Sequence, residues 1–129
     1  MARFGRTSLR KRQDADTRWQ EILDEAIKHY NFSIVWTHRN RESQNVAHAS
    51  GNSKLEWPKS KHNALPSLAV DIIPYPTGWS DLTEFREMAT YIYAAAMKLG
   101  YKIKWGGHWK NYTGKGDLDR DWAHFQLED

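Results

Sequence analysis

The sequence predicts an α+β fold, a small antiparallel sheet with helices packed on it, as a single domain over residues 1–129. Two long stretches carry apolar residues at helical spacing, and several short stretches are rich in β-forming residues. The two kinds do not alternate strictly, which favours an antiparallel sheet over a parallel one. The length suffices for one hydrophobic core.

The first half of the chain contains a helix, a strand and a shorter helix. Residues 16–30 are predicted to be helical, residues 32–36 form a strand, and residues 42–49 form a short helix that ends near Gly51. Residues 52–67 contain two prolines and little periodicity, which indicates a loop.

The second half begins with an apolar strand. Residues 68–73 form this strand, which two prolines stop. Ser80 or Asp81 then caps a long helix that runs to residue 99, with Gly100 at its C-terminal end.

Two strands and a loop are predicted after the long helix. Residues 101–105 alternate as a strand, residues 106–120 form a Gly-rich loop, and residues 122–127 form the last strand.

The composition restricts the kinds of site that the chain can build. It has no cysteine, which excludes disulfides and thiolate metal sites, so any zinc must be bound by His, Asp or Glu. Six histidines are available. The apolar stretches are far shorter than a membrane span, so no membrane insertion is expected.

The net charge of +3 comes with a basic segment at residues 1–13. This segment either attracts a polyanion, such as nucleic acid or an anionic cell wall, or is a solvated, flexible tail. It lacks the interleaved aromatic residues of a nucleic-acid platform, so we expect a flexible tail and no nucleic-acid partner. No apolar core follows it, which argues against a signal peptide.

A carboxylate lies inside a strand that should be buried. In the stretch SKHNALPSLAVDIIPY, residues 60–75, Asp71 is flanked by apolar residues. A buried charge costs several kcal/mol unless it is paired, and a metal ion is one of the few partners strong enough. His62 lies nine positions earlier. The two side chains can meet if the loop folds back over the strand.

The last strand offers a third ligand. In DWAHFQL, the side chains of Trp122, His124 and Gln126 share one face. Two histidines and one carboxylate leave a zinc position open for water, as in catalytic sites. Asp121 can approach as a general base only if the chain turns before the strand. The alternative is that His62 is a surface residue and His124 an ordinary core residue.

These motifs resemble a known family. The Ser-x-His…Ala-x-Asp stretch followed by Asp-x-x-His is similar to the pattern of the zinc D,L- and D,D-peptidases. They include the phage L-alanyl-D-glutamate endopeptidases and the VanY-type D-alanyl-D-alanine carboxypeptidases. The resemblance runs from about residue 32 to the C-terminus. The long spacing between histidine and aspartate resembles an endolysin-like branch.

The resemblance implies a site. His62, Asp71 and His124 would be the zinc ligands, and Asp121 the catalytic base. Ser60 would support either the first ligand or the substrate.

Two further stretches resemble the same branch. In THRNRESQNVAHASGNSKLEWPKSKHN, Arg39 would polarise the scissile carbonyl or bind a substrate carboxylate, and Gln44 would contact substrate. The alternative for Arg39 is a surface charge beside Arg41. KWGGHWKNY resembles a Trp-Gly-Gly-Asp-Trp stretch, with His108 where Asp is usual. Trp105 or Trp109 would wall the cleft, and His108 would lie at the substrate rim or in solvent.

The expected function is that of a phage endolysin. A zinc-dependent peptidase would hydrolyse the stem peptide of bacterial peptidoglycan, with L-alanyl-D-glutamate as the expected bond. A D-alanyl-D-alanine carboxypeptidase and a non-catalytic metal-containing binding module remain as alternatives. We expect a monomer that is made in the host cytoplasm and acts on the wall after release.

Overall fold

The computed structural model describes residues 3–108 and 121–128, and for His108 the backbone only. The helices of this part are α1 (Arg6–Arg12), α2 (Thr17–Ile27), α3 (Arg41–Ala49) and α4 (Leu82–Leu99). Its strands are β1 (Phe32–Trp36), β2 (Ala69–Pro74), β3 (Ile103–Trp105) and β4 (His124–Leu127). The predicted α+β class is confirmed. No helix in the described ranges is long and apolar enough to span a membrane.

The four strands form one antiparallel sheet in the order β1-β2-β4-β3. In the register of β2 with β4, Asp71 lies directly opposite His124. On its other side, Asp71 is opposite Trp36 of β1, where an irregularity between Ile34 and Trp36 shifts the pairing. The register alone therefore brings two of the predicted ligands together.

One face of the sheet packs against α2 and α4. The core includes residues from both helices and from β2 and β4, among them Trp19, Ile22, Phe85, Met88, Val70, Ile72 and Phe125. Side chains alternate between the two faces of a strand. Because Val70 and Ile72 point into the core, Asp71 between them points to the opposite face. Helices α2 and α4 thus occupy one side of the sheet, and the candidate site lies on the other.

Most predicted elements are confirmed, with small differences at their ends. The Asp81 side chain caps α4 by accepting hydrogen bonds from the backbone of the first turn. Gly100 ends α4 with a φ of 82°, in the left-handed region that glycine favours. β4 begins at His124, not at residue 122, because the two preceding residues form a turn. Of the predicted loop 106–120, residues 109–120 lie outside the described residues.

The N-terminal segment differs from the flexible tail predicted for residues 1–13. Residues Arg6–Arg12 form α1, which packs against β1. The Ser8 hydroxyl accepts a hydrogen bond from the backbone N–H of Ile34 at 3.0 Å. The Lys11 ammonium donates to the Val35 carbonyl at 2.6 Å. Lys11, one of the basic residues of this segment, therefore has a structural role that the net charge did not reveal.

Candidate active site

His62 is presented by a short capped turn. It lies in the 3-10 segment Lys61–Asn63, whose first residue follows the cap Ser60. The Ser60 hydroxyl accepts from the His62 N–H at 3.2 Å, and the Ser60 N–H donates to the Asn63 side chain at 3.0 Å. Of the two roles predicted for Ser60, this arrangement corresponds to support of the first ligand.

The orientation of the His62 ring is fixed by a backbone carbonyl. Nδ1 lies 2.7 Å from the carbonyl oxygen of Thr37. Since a carbonyl can only accept, Nδ1 carries the proton and Nε2 keeps its lone pair in the neutral ring. Nε2 faces Asp71. A second partner that fixes the tautomer in this way is typical of metal-ligating histidines.

Two imidazoles converge on one oxygen of Asp71. His62 Nε2 lies 3.1 Å from Asp71 Oδ1, and His124 Nδ1 lies 3.2 Å from the same oxygen. The other ring nitrogen of His124 is 2.8 Å from Gln126 Oε1. All three side chains are buried, and the candidate ligand atoms lie within 4.8 Å of one another. This donor set fits a three-residue metal centre with one position left for water.

The second oxygen of Asp71 binds Arg39. The guanidinium nitrogen Nη2 lies 3.1 Å from Oδ2, and only 7% of Arg39 is exposed. The guanidinium also lies over the Trp36 ring, 5.2 Å from its centroid. The alternative of a surface charge beside Arg41 is therefore wrong: Arg39 is a buried part of the cluster.

The charges of the cluster stabilise one another. Burial alone would raise the pKa of Asp71, but the charge of His62 and the hydrogen bond from His124 lower that pKa well below its usual range. Burial opposes protonation of His124, yet the hydrogen bond to Asp71 raises its pKa above the ordinary value. Protons compete with a metal ion for the ring nitrogens of the two histidines, so we expect metal affinity to decrease as the pH is lowered.

Asp121 lies at the turn before β4, as predicted. The His124 N–H donates to the Asp121 carbonyl at 3.3 Å across the turn. Burial raises the pKa of Asp121, as does the charge of Asp71, against the lowering effect of His124 and His62. The pKa of its carboxyl group therefore responds to the charges of the cluster, although Asp121 is not one of the three candidate ligands. A carboxyl group with a raised pKa beside other charged groups is a candidate for proton transfer.

A sequence model of a protein family, described as phage L-alanyl-D-glutamate peptidase, matches residues 1–127. The chain belongs to this family. It is a peptidase that acts on peptidoglycan. A search of curated proteins found no significant match.

The fold of this peptidase is also found in a solved structure, the L-Ala D-Glu endopeptidase ChiX of Serratia marcescens. The two share 24% sequence identity with a TM-score of 0.78, over 98% of this chain and 90% of that one. At this identity the likeness establishes the fold and no more.

Gln44 was predicted to contact substrate, but its burial and its hydrogen bonds within the protein do not fit that role. It is fully buried, and its amide nitrogen donates to the Ser53 hydroxyl at 2.8 Å and the Leu55 carbonyl at 2.7 Å. Its amide oxygen accepts from Asn63 at 3.1 Å. Through these hydrogen bonds, Gln44 stabilises the loop that carries His62.

Trp105 also differs from its predicted role as a cleft wall. Its ring stacks on Phe125 with centroids 5.9 Å apart, on the helix side of the sheet. Asp71 points to the opposite face, so Trp105 is separated from the cluster by the sheet. The side chain of His108 lies outside the described residues, and its predicted place at the substrate rim remains a prediction.

Two residues that orient the ligands were not identified from the sequence. Gln126 lies on the same strand face as His124, so the alternation of the strand could have predicted the contact between them. Thr37 acts through its backbone carbonyl, which accepts from both His62 and the Ser67 hydroxyl. Because every residue has a backbone carbonyl, the residue type at position 37 could not indicate this contact.

Proposed function

We propose that this peptidase is a zinc-dependent endopeptidase that hydrolyses the L-alanyl-D-glutamate bond of the peptidoglycan stem peptide. The observation that carries the proposal is the convergence of His62 and His124 on one buried oxygen of Asp71. The half-buried carboxylate of Asp121 next to this cluster supports hydrolysis over simple metal storage.

Zinc fits the donor set better than the other common divalent ions. Two imidazoles and one carboxylate, without sulfur, form a known type of catalytic zinc site, whereas magnesium and calcium prefer oxygen donors. When bound, the metal would polarise the peptide carbonyl and acidify a water molecule. His62, Asp71 and His124 would hold it.

The remaining residues complete the hydrolysis. Asp121 takes a proton from the attacking water as the new carbon–oxygen bond forms, and delivers it to the amine nitrogen as the carbon–nitrogen bond breaks. Arg39 contributes a fixed positive charge near the carbonyl oxygen, where negative charge develops. Its hydrogen bond uses Oδ2 of Asp71, while Oδ1 faces the two imidazoles.

Digestion of purified peptidoglycan tests the proposed bond. Mass spectrometry should find released stem peptides that begin with D-glutamate, and glycan strands that retain L-alanine. Release of terminal D-alanine alone would instead indicate a carboxypeptidase. Absence of products from zinc-loaded protein would indicate a non-catalytic binding module.

Replacement of Arg39 by alanine should lower kcat/KM by about 100-fold, the scale of losing one charge-stabilising donor. Zinc content should stay at the wild-type level, because Arg39 is not a ligand. The matched control is Arg41→Ala, which removes an exposed charge two positions away and should leave turnover unchanged. Unchanged turnover in the Arg39 variant would contradict the assigned role.

A further inference from the structure

Gly106, at the end of β3, lies directly against Asp121. A Cβ atom added at Gly106 would overlap the carbonyl oxygen of Asp121 and lie 2.8 Å from its Cβ. Both distances are shorter than real Cβ contacts, and the obstacle includes backbone, which cannot rotate away. The restriction is one of space, because Gly106 does not adopt a positive φ.

Trp105, the residue before Gly106, contacts the same turn. The Trp105 indole N–H donates to the Trp122 carbonyl at 2.8 Å, and the two rings meet edge to face with centroids 5.3 Å apart. Gly107 gives this indole its room, since a Cβ there would lie 2.6 Å from Cη2 of Trp105. The end of β3 therefore holds the residues just before β4 by close backbone approach and by a hydrogen bond.

We infer that Gly106 and Trp105 are positioning residues for the carboxylate of Asp121. Gly106 lets the Asp121 backbone approach the end of β3, and Trp105 holds the carbonyl group of Trp122, the next residue. This inference rests on the proposed role of Asp121 as the general base. It also explains the two glycines of the Trp-Gly-Gly stretch by the space that Asp121 and the Trp105 ring occupy.

The test is Gly106→Ala in the full chain. The added methyl group should displace Asp121 and lower kcat by about 100-fold, the scale of a misplacement of about 1 Å, with little change in KM. Zinc content and the visible spectrum of the cobalt-substituted protein should match wild type, because the ligands are unchanged. The control is Gly5→Ala, where an added Cβ meets no atom within 4 Å.

Combination with Asp121→Asn separates positioning from a general structural effect. If Gly106 acts through Asp121, adding Gly106→Ala to the Asn variant should lower the remaining activity by less than about 2-fold. A further loss as large as in wild type, or wild-type kcat in Gly106→Ala, would overturn the inference. An active Asp121→Asn variant would instead overturn the proposed base itself.

Trp105→Phe provides a second variant should Gly106→Ala fail to fold. It keeps an aromatic ring but removes the donor to Trp122. The same pattern is expected, a lower kcat with retained zinc and no further effect in the Asp121→Asn background. Equal loss in both backgrounds would count against the inference.

Discussion

Replacement of Asp121 by asparagine should lower the rate of wall hydrolysis by about 100- to 10,000-fold, the range of a lost general acid–base catalyst. Asparagine has nearly the same shape and cannot accept the proton. The turn that places residue 121 is held by its backbone carbonyl, so the fold should persist. Turnover of purified peptidoglycan, with zinc content measured on the same sample, provides the readout.

The control for this substitution is Asp14→Asn, which changes an exposed aspartate remote from the ligands in sequence. It should have wild-type activity. An Asp121→Asn variant with full activity and an unchanged pH profile would refute the mechanism, since it would make Asp121 an ordinary turn residue.

Replacement of Asp71 by asparagine should abolish zinc binding and destabilise the fold. The carboxylate is the shared partner of both imidazoles and of Arg39, so its loss leaves the guanidinium buried without a counter-charge. Breaking a buried pair in this way costs about 3–5 kcal/mol. Elemental analysis and urea unfolding in the presence of a chelator measure the two effects separately.

A second substitution distinguishes the two effects of Asp71. The double variant Asp71→Asn/Arg39→Met removes the unpaired charge and should recover much of the lost stability, but no zinc binding. Full zinc occupancy in Asp71→Ala/His124→Ala would contradict the ligand assignment.

Strand periodicity predicted which side chains share a face, and the resemblance to the peptidase family supplied the ligand roles of His62, Asp71 and His124. The alternation of β2 places Asp71 away from the core, and that of β4 places His124 and Gln126 on one face. The register of the two strands then makes Asp71 and His124 direct neighbours. The turn at Asp121 was predictable as well, because residues three positions apart in a regular strand cannot both direct their side chains to the site.

The roles of Gln44 and Trp105 could not be predicted, because a sequence motif does not show whether a side chain points into the protein or towards the site. The alternation of a three-residue strand is too short to assign Trp105 to either side. Helix α1 was missed for another reason. A helix of seven residues is not stable by itself, and its bonds to β1 come from residues distant in sequence.

The position of α1 has a consequence for association between molecules. β1 is an outer strand of the sheet, and the outer strands of sheets expose backbone groups that can recruit a strand from another chain. Ser8 and Lys11 occupy the N–H of Ile34 and the carbonyl of Val35, two groups that such a strand would need. We therefore expect the basic helix to hinder the pairing of β1 with a strand from another molecule.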